Sequence, residues 1–134
     1  MIRSILLFLT LFGLLLGGDI VWQKDLKSAF SLAQEQHRTL MVMVEGEHCR
    51  WCKKMHARTL NDEKIIEALT PYVCVRVDEN DQKAMDMLPW IEGIPTIFFM
   101  YPDRKIIETV TGYYNREDFL SFIRDVKQKT WQHK

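Results

Sequence analysis

The apolar side chains near the start of the chain recur in steps of three and four. Trp22, Leu26, Ala29, Phe30 and Ala33 fall on one helical face, so the spacing predicts an amphipathic helix over about 24–36. Leu40 to Val44 is instead a continuous apolar run with two valines and turn-like residues on either side, which predicts a buried strand. After a loop over 45–48, residues from Cys49 to about Thr59 favour a helix. Asn61 is placed to cap a second short helix carrying Ile65, Ile66 and Leu69, which stops before Pro71. Residues 72–77 are rich in valine and predict a strand, and the polar stretch 78–87 closes in a short helix. Gly93-Ile94-Pro95 punctuates the chain. Residues 96–101 and 106–111 then predict a hairpin about a turn at Pro102-Asp103-Arg104. Asn115, with Asp118 three residues on, caps a last helix whose apolar face is Phe119, Phe122, Ile123 and Val126. Strands alternate with helices and a hairpin follows. The fold class is α/β, with a mixed central sheet and helices on both faces.

One apolar run fits none of this. Met1-Ile2-Arg3-Ser4 is short and basic, and Ile5 to Leu16 is apolar except for Thr10 and Gly13. The run is shorter than the ~20 residues of a bilayer span. Residues 1–18 therefore read as a secretory signal, with an uncleaved N-terminal membrane anchor as the alternative. Both readings export residues 19–134, a single domain, to the periplasm or an equivalent compartment. The whole chain balances eighteen basic against eighteen acidic residues, so charge gives no argument for nucleic acid or for an anionic membrane surface. Apolar residues at 47% and charged residues at 27% are ordinary for a globular domain.

Export changes the reading of the cysteines, because disulfides persist outside the cytosol. The chain has three: Cys49 and Cys52, in Cys-x-x-Cys spacing, and Cys74. A small domain held by staples carries several pairs, and a bridge closing so short a loop constrains the unfolded chain little. Chemistry explains the close pair better. A strand, a loop and then Cys-x-x-Cys opening a helix put Cys49 at the helix N-terminus, where free N–H groups and the positive end of the dipole favour a thiolate. His48, Arg50, Lys53 and Lys54 add positive potential. Cys49 is expected to be the nucleophile and Cys52, one turn deeper, the resolving thiol. No metal or organic cofactor is called for; the working group is the dithiol or disulfide itself.

In this order the residues resemble the thioredoxin superfamily, in its exported form. The matching stretches are the strand Leu40–Val44, "CRWCKKM", "VCVRVDEN", "GIPTIFF" and "TGYYNREDFLSFI", which together run from about Leu40 to Val126. The resemblance implies a thioredoxin fold and a thiol–disulfide oxidoreductase. It also implies a cis Pro95 facing the cysteine pair, backbone hydrogen bonds from Ile94 to an extended substrate, and a groove kept open at Gly112. Protein thiols and disulfides of the cell envelope are then the substrates, with a membrane electron donor or acceptor as partner. Ile94 before the proline favours reduction; Arg50 and His48 beside Cys49 favour the oxidant or isomerase alternative. Three departures stand out. His48 replaces the usual tryptophan before the first cysteine, Arg50-Trp51 replaces Gly-Pro, and Met43 stands where a buried aspartate handles the resolving thiol's proton.

Other readings belong beside these. Cys49, Cys52 and His56 are spaced to share a helix face and, with His48, to bind a metal. His56 also reads as a plain surface residue, His48 as a loop residue and Cys74 as a small core hydrophobe. Trp51, inside an exposed motif, offers a docking surface that Trp90 and Ile91 either extend or leave by packing on the domain edge. A client-holding chaperone using the two tryptophans is a third functional class. The methionines Met41, Met43, Met55, Met85 and Met87 are irregularly spaced and read as core or rim filling.

Overall fold

The structure, a computed structural model, describes residues 18–132. The signal or anchor read at 1–18 lies, Gly18 apart, outside the described residues. Among these residues, no helix is long and apolar enough to cross a membrane.

Five strands form one mixed sheet: β1 (Trp22–Gln23), β2 (Leu40–Glu45), β3 (Val73–Asp78), β4 (Thr96–Met100) and β5 (Ile106–Thr111), in the order β1-β3-β2-β4-β5. β1 and β2 run parallel to β3, while β4 is antiparallel to β2 and β5 is antiparallel to β4. The central strands β2 and β4 are buried on both faces, which is why their sequences, "LMVMV" and, after Thr96, "IFFM", are unbroken apolar runs. Period-two alternation sorts those residues between two cores. Leu40, Val42, Val44, Phe98 and Met100 pack on one face with Leu26, Ala29, Phe30 and Ala33 of α1 (Leu26–Gln36) and with Ala84 of the short α4 (Gln82–Met85). Met41, Met43, Ile97 and Phe99 pack on the other with α2 (Arg50–Met55), α3 (Glu63–Leu69) and α5 (Arg116–Gln132). This is the thioredoxin fold expected from the sequence, with helices on both faces.

Local chemistry moves some boundaries. Trp22 belongs to a two-residue edge strand and not to α1, which starts at Leu26 after Asp25 accepts a hydrogen bond from the Ser28 amide at 2.7 Å. The cap of α3 is Asp62 and not Asn61, since the Asp62 carboxylate accepts from the Lys64 amide at 2.9 Å. The helix over 49–59 is in two parts: after α2, residues His56–Leu60 wind into a wider π turn. Asn115 caps α5 as expected, its side chain accepting from the Asp118 amide at 2.9 Å.

Candidate active site at the start of α2

β2 ends at Glu45, and a three-residue loop carries the chain into α2. Gly46 sits close to two side chains: a Cβ there would lie 2.9 Å from the Ile94 side chain and 2.7 Å from a Glu79 carboxylate oxygen, so those side-chain ends would have to shift. His48 takes a left-handed conformation, φ 57°, and the chain turns there so that Cys49 becomes the cap of α2. The Cys49 Sγ accepts a hydrogen bond from the Cys52 amide at 3.1 Å, one of the amides left free at a helix start. Cys49 and Cys52 are joined by a disulfide with Cα atoms 5.2 Å apart. Cys49 is half-buried, while Cys52 is 3% exposed and packs in the core with Met41, Met43 and Met55.

The proline segment meets this motif through Ile94. The Ile94–Pro95 peptide bond is cis. The Thr96 hydroxyl donates to the Gly93 carbonyl at 2.6 Å and holds the turn from within. The Gly112 amide donates to the Pro95 carbonyl at 2.8 Å, which joins the end of β5 to the proline. Gly112 has φ 94°, a conformation that a side chain would strain. Trp51, Ile94, Gly112 and Tyr113 thus line one shallow groove of about 350 Å³. Trp51 is 46% exposed and stacks on Tyr113. Trp90 is 83% exposed and Ile91 is partly buried against the α1-side core, so the two part company and neither lines this groove.

Behind the motif, Met43 is fully buried and offers no group that could handle a proton. The nearest carboxylate on that strand is Glu45, two residues on and on the same face. It accepts from His56 Nε2 at 2.6 Å and from Arg76 Nε at 2.7 Å. Burial raises the Glu45 pKa, but the hydrogen bonds and charges of His56 and Arg76 outweigh it and hold the carboxyl below its usual value. An ionised carboxylate only accepts, which assigns the shared hydrogen to His56 Nε2. With His56 turned to Glu45 and both cysteines in a disulfide, the set Cys49, Cys52, His56 and His48 does not come together as ligands. Among the described residues, no cluster of three or more His, Cys, Asp or Glu side chains is placed to hold a metal. Cys74 is buried in β3, and burial, against a weaker opposing pull from Arg38, pushes its thiol up to about 12.

Three parts of the site escaped the sequence reading. Tyr113 follows Gly112, but only the fold stacks it on Trp51. The Glu45–His56–Arg76 cluster joins three elements with no local motif. The π turn is held by the buried Thr59, whose hydroxyl donates to the Tyr114 carbonyl at 2.6 Å.

Comparison with known proteins agrees with this geometry. A family described as a thioredoxin-like domain matches residues 26–127. A curated relative, the thiol:disulfide interchange protein DsbD of Pseudoalteromonas atlantica, is 27% identical over 108 residues, which are 76% of this chain and 18% of that protein. The chain thus spans under a fifth of the length of that relative. Among solved structures, a DsbH oxidoreductase superposes with a TM-score of 0.71 at 17% identity, covering 82% of this chain and 85% of that one. A thioredoxin from Thermus thermophilus superposes with a TM-score of 0.70 at 25% identity, covering 81% and 88%.

Proposed function

This chain belongs to the thioredoxin-like domain family and is of the thiol–disulfide oxidoreductase class, and from that premise we propose that it reduces disulfides in exported proteins. The observation that carries the reading is the Cys49–Cys52 disulfide, opening α2 beside a groove floored by Ile94 and Gly112. In the dithiol state, the Cys49 thiolate attacks one sulfur of a partner disulfide. The partner's S–S bond breaks, and its other sulfur leaves and takes a proton from solvent. Cys52 then gives up its proton and attacks the Cys49 sulfur, which releases the partner's second thiol and closes the Cys49–Cys52 ring. Two electrons pass to the partner and two protons follow. A second dithiol, supplied with electrons from the membrane, reopens the ring in the same way.

Ile94 and Pro95 order the substrate chain, Gly112 leaves it room, and Trp51 gives it an apolar wall. His48 and Arg50 stabilise the attacking thiolate. Residues 1–18 bring the domain to the envelope, by a cleaved signal or as an anchor. The relative's printed name, thiol:disulfide interchange, agrees with exchange between proteins.

One observation favours the opposite direction: Arg50, Lys53 and Lys54 are exposed around the motif, and a strongly stabilised thiolate makes a pair more oxidising. The reduction potential decides. Equilibration of the mature domain in glutathione buffers is expected to give a value near about −270 mV, the reductant end. A value near about −120 mV would make the protein a disulfide donor. Failure to form the disulfide at any poise would rule out both redox directions and return the pair to a binding role.

A further inference from the structure

Trp51 is the second residue between the cysteines, and its ring has several neighbours. It stacks on Tyr113 with centroids 6.1 Å apart and planes 29° apart. Lys54 Nζ lies 5.1 Å from the Trp51 centroid and 4.5 Å from that of Tyr113, and the Arg50 guanidinium lies 5.3 Å from the Trp51 ring. Each cation sits over a ring, where the negative face attracts it, and together rings and cations form one wall of the groove.

The charge beside this wall is one-sided. From His48 to Asn61 the chain carries Arg50, Lys53, Lys54 and Arg58 and no acidic residue. All four are exposed, and among the described residues none forms an ion pair. The ion pairs of basic side chains lie elsewhere, Arg76 on Glu45, Lys105 on Asp103, Arg116 on Asp62 and Glu117, and Lys129 on Glu108, although exposed lysines such as Lys83 and Lys127 likewise form none. The acids nearest in sequence to the motif and the proline, Glu47 and Glu92, ride on the loops before Cys49 and before Pro95, not on the helix that carries the ring and its cations. An apolar groove edged by cations without anions is complementary to an apolar segment that carries negative charge.

Resting on the oxidoreductase reading, we infer that the partner segment crossing this groove carries an acidic side chain next to an apolar one, beside its own disulfide cysteine. The apolar side chain seats against Trp51, Tyr113 and Ile94. The carboxylate meets Arg50 and Lys54 on the sides of their charges turned away from the rings. The same cations repel a basic segment, so they select a partner as well as attract one.

The test uses the reduced full-length protein and three disulfide-linked peptides. The peptides are identical except for Glu, Gln or Lys next to the residue that neighbours the cysteine. Hydroxyethyl disulfide serves as a small neutral substrate. Each rate is divided by the rate of the same peptide with dithiothreitol, which removes the effect of the flanking charge on the peptide's own sulfur. The Glu peptide is expected to react about tenfold faster than the Lys peptide at low salt, with the gap closing near 1 M salt. Lys54→Glu, and more so Arg50→Glu with Lys54→Glu, is expected to bring that ratio to one or below. Equal Glu and Lys rates, with hydroxyethyl disulfide still reduced, would overturn the inference and leave the oxidoreductase reading intact. A ratio that survives both charge reversals would overturn it too. No reduction of any substrate would remove the redox reading and this inference with it.

Discussion

Cys52 and Cys74 are equally buried, each 3% exposed, and both belong to the core between the sheet and α2, α3 and α5. Their chemistry differs because of what the backbone does around them. Cys52 lies in the first turn of a helix and reaches Cys49, which is only half-buried and whose sulfur accepts a backbone amide. Cys74 sits mid-strand, where the amides are spent on the ladder, and its thiol donates to the Tyr72 carbonyl at 3.7 Å. Burial by itself makes a thiol inert; burial next to a helix start, with a partner thiol within reach, makes half of a redox couple. Position in the fold, not burial, separates the two thiols.

The largest effect is expected on turnover. Cys49→Ser should lower disulfide reduction by at least about a thousandfold, because Cys49 is the half-buried thiol at the helix start while Cys52 and Cys74 are buried. Cys74→Ala, tested in parallel, should leave the rate within about twofold. Equal losses in a turbidity or coupled reductase assay would mean that Cys74 shares in the exchange. Labelling sharpens the same contrast without a mutation. A thiol at about 12 is ionised at pH 8 to only about one part in ten thousand, so Cys74 should resist iodoacetamide in the folded, reduced protein while Cys49 is modified. Peptide mass mapping reads the order; labelling of Cys74 first would contradict it.

A smaller effect asks how the helix side is held to the rest. The π turn after α2 carries the buried Thr59, which donates to the Tyr114 carbonyl, and Tyr114 packs edge-on against Phe122 of α5. Thr59→Val keeps the shape and strips that carbonyl of its donor. A loss of about 1–2 kcal/mol in urea unfolding is expected, with the Cys74 side of the sheet unchanged in hydrogen exchange. No loss would mean that the turn is set by packing alone.

The sequence carried the sheet more legibly than the site's surroundings. β2 and β4 announced themselves because strands buried on both faces need unbroken apolar runs, and Met43 or Phe99 could hardly sit elsewhere. The cysteine pair was legible because its spacing and its place after a strand form a local signal. β1 was not: two residues, Trp22 and Gln23, pair with Cys74 and Val75 far along the chain, and so short a strand has no period. The cap at Asp62 instead of Asn61 was a choice between neighbours of similar propensity, settled by which side chain reached the Lys64 amide. The π turn and the Trp51–Tyr113 wall depend on contacts between elements, which periodicity does not record. Met43 invited the question of where an acid would be; the answer, Glu45 bound by His56 and Arg76, required the helix and β3 to be in place.

That cluster gives the smallest expected effect and joins the two halves of the comparison, since Glu45 stands on the sheet, His56 follows the cysteine helix and Arg76 lies in the strand of Cys74. The folded protein holds the Glu45 carboxyl below its usual value, so folding favours its ionised form. The stabilisation is therefore complete above the ordinary carboxylate range and is lost as pH falls through the lowered folded value. Glu45→Gln removes the charge at every pH. It should cost about 1 kcal/mol at pH 7 and nothing further as the solution is acidified, so the two stability curves should converge toward low pH. Parallel curves from neutral to acid pH would mean that the carboxylate contributes only its shape. A steeper acid loss in Glu45→Gln than in the parent would place the acid-sensitive group elsewhere, with Asp62, held low by the Lys64 amide and Arg116 against the opposing effect of burial, as the next to replace.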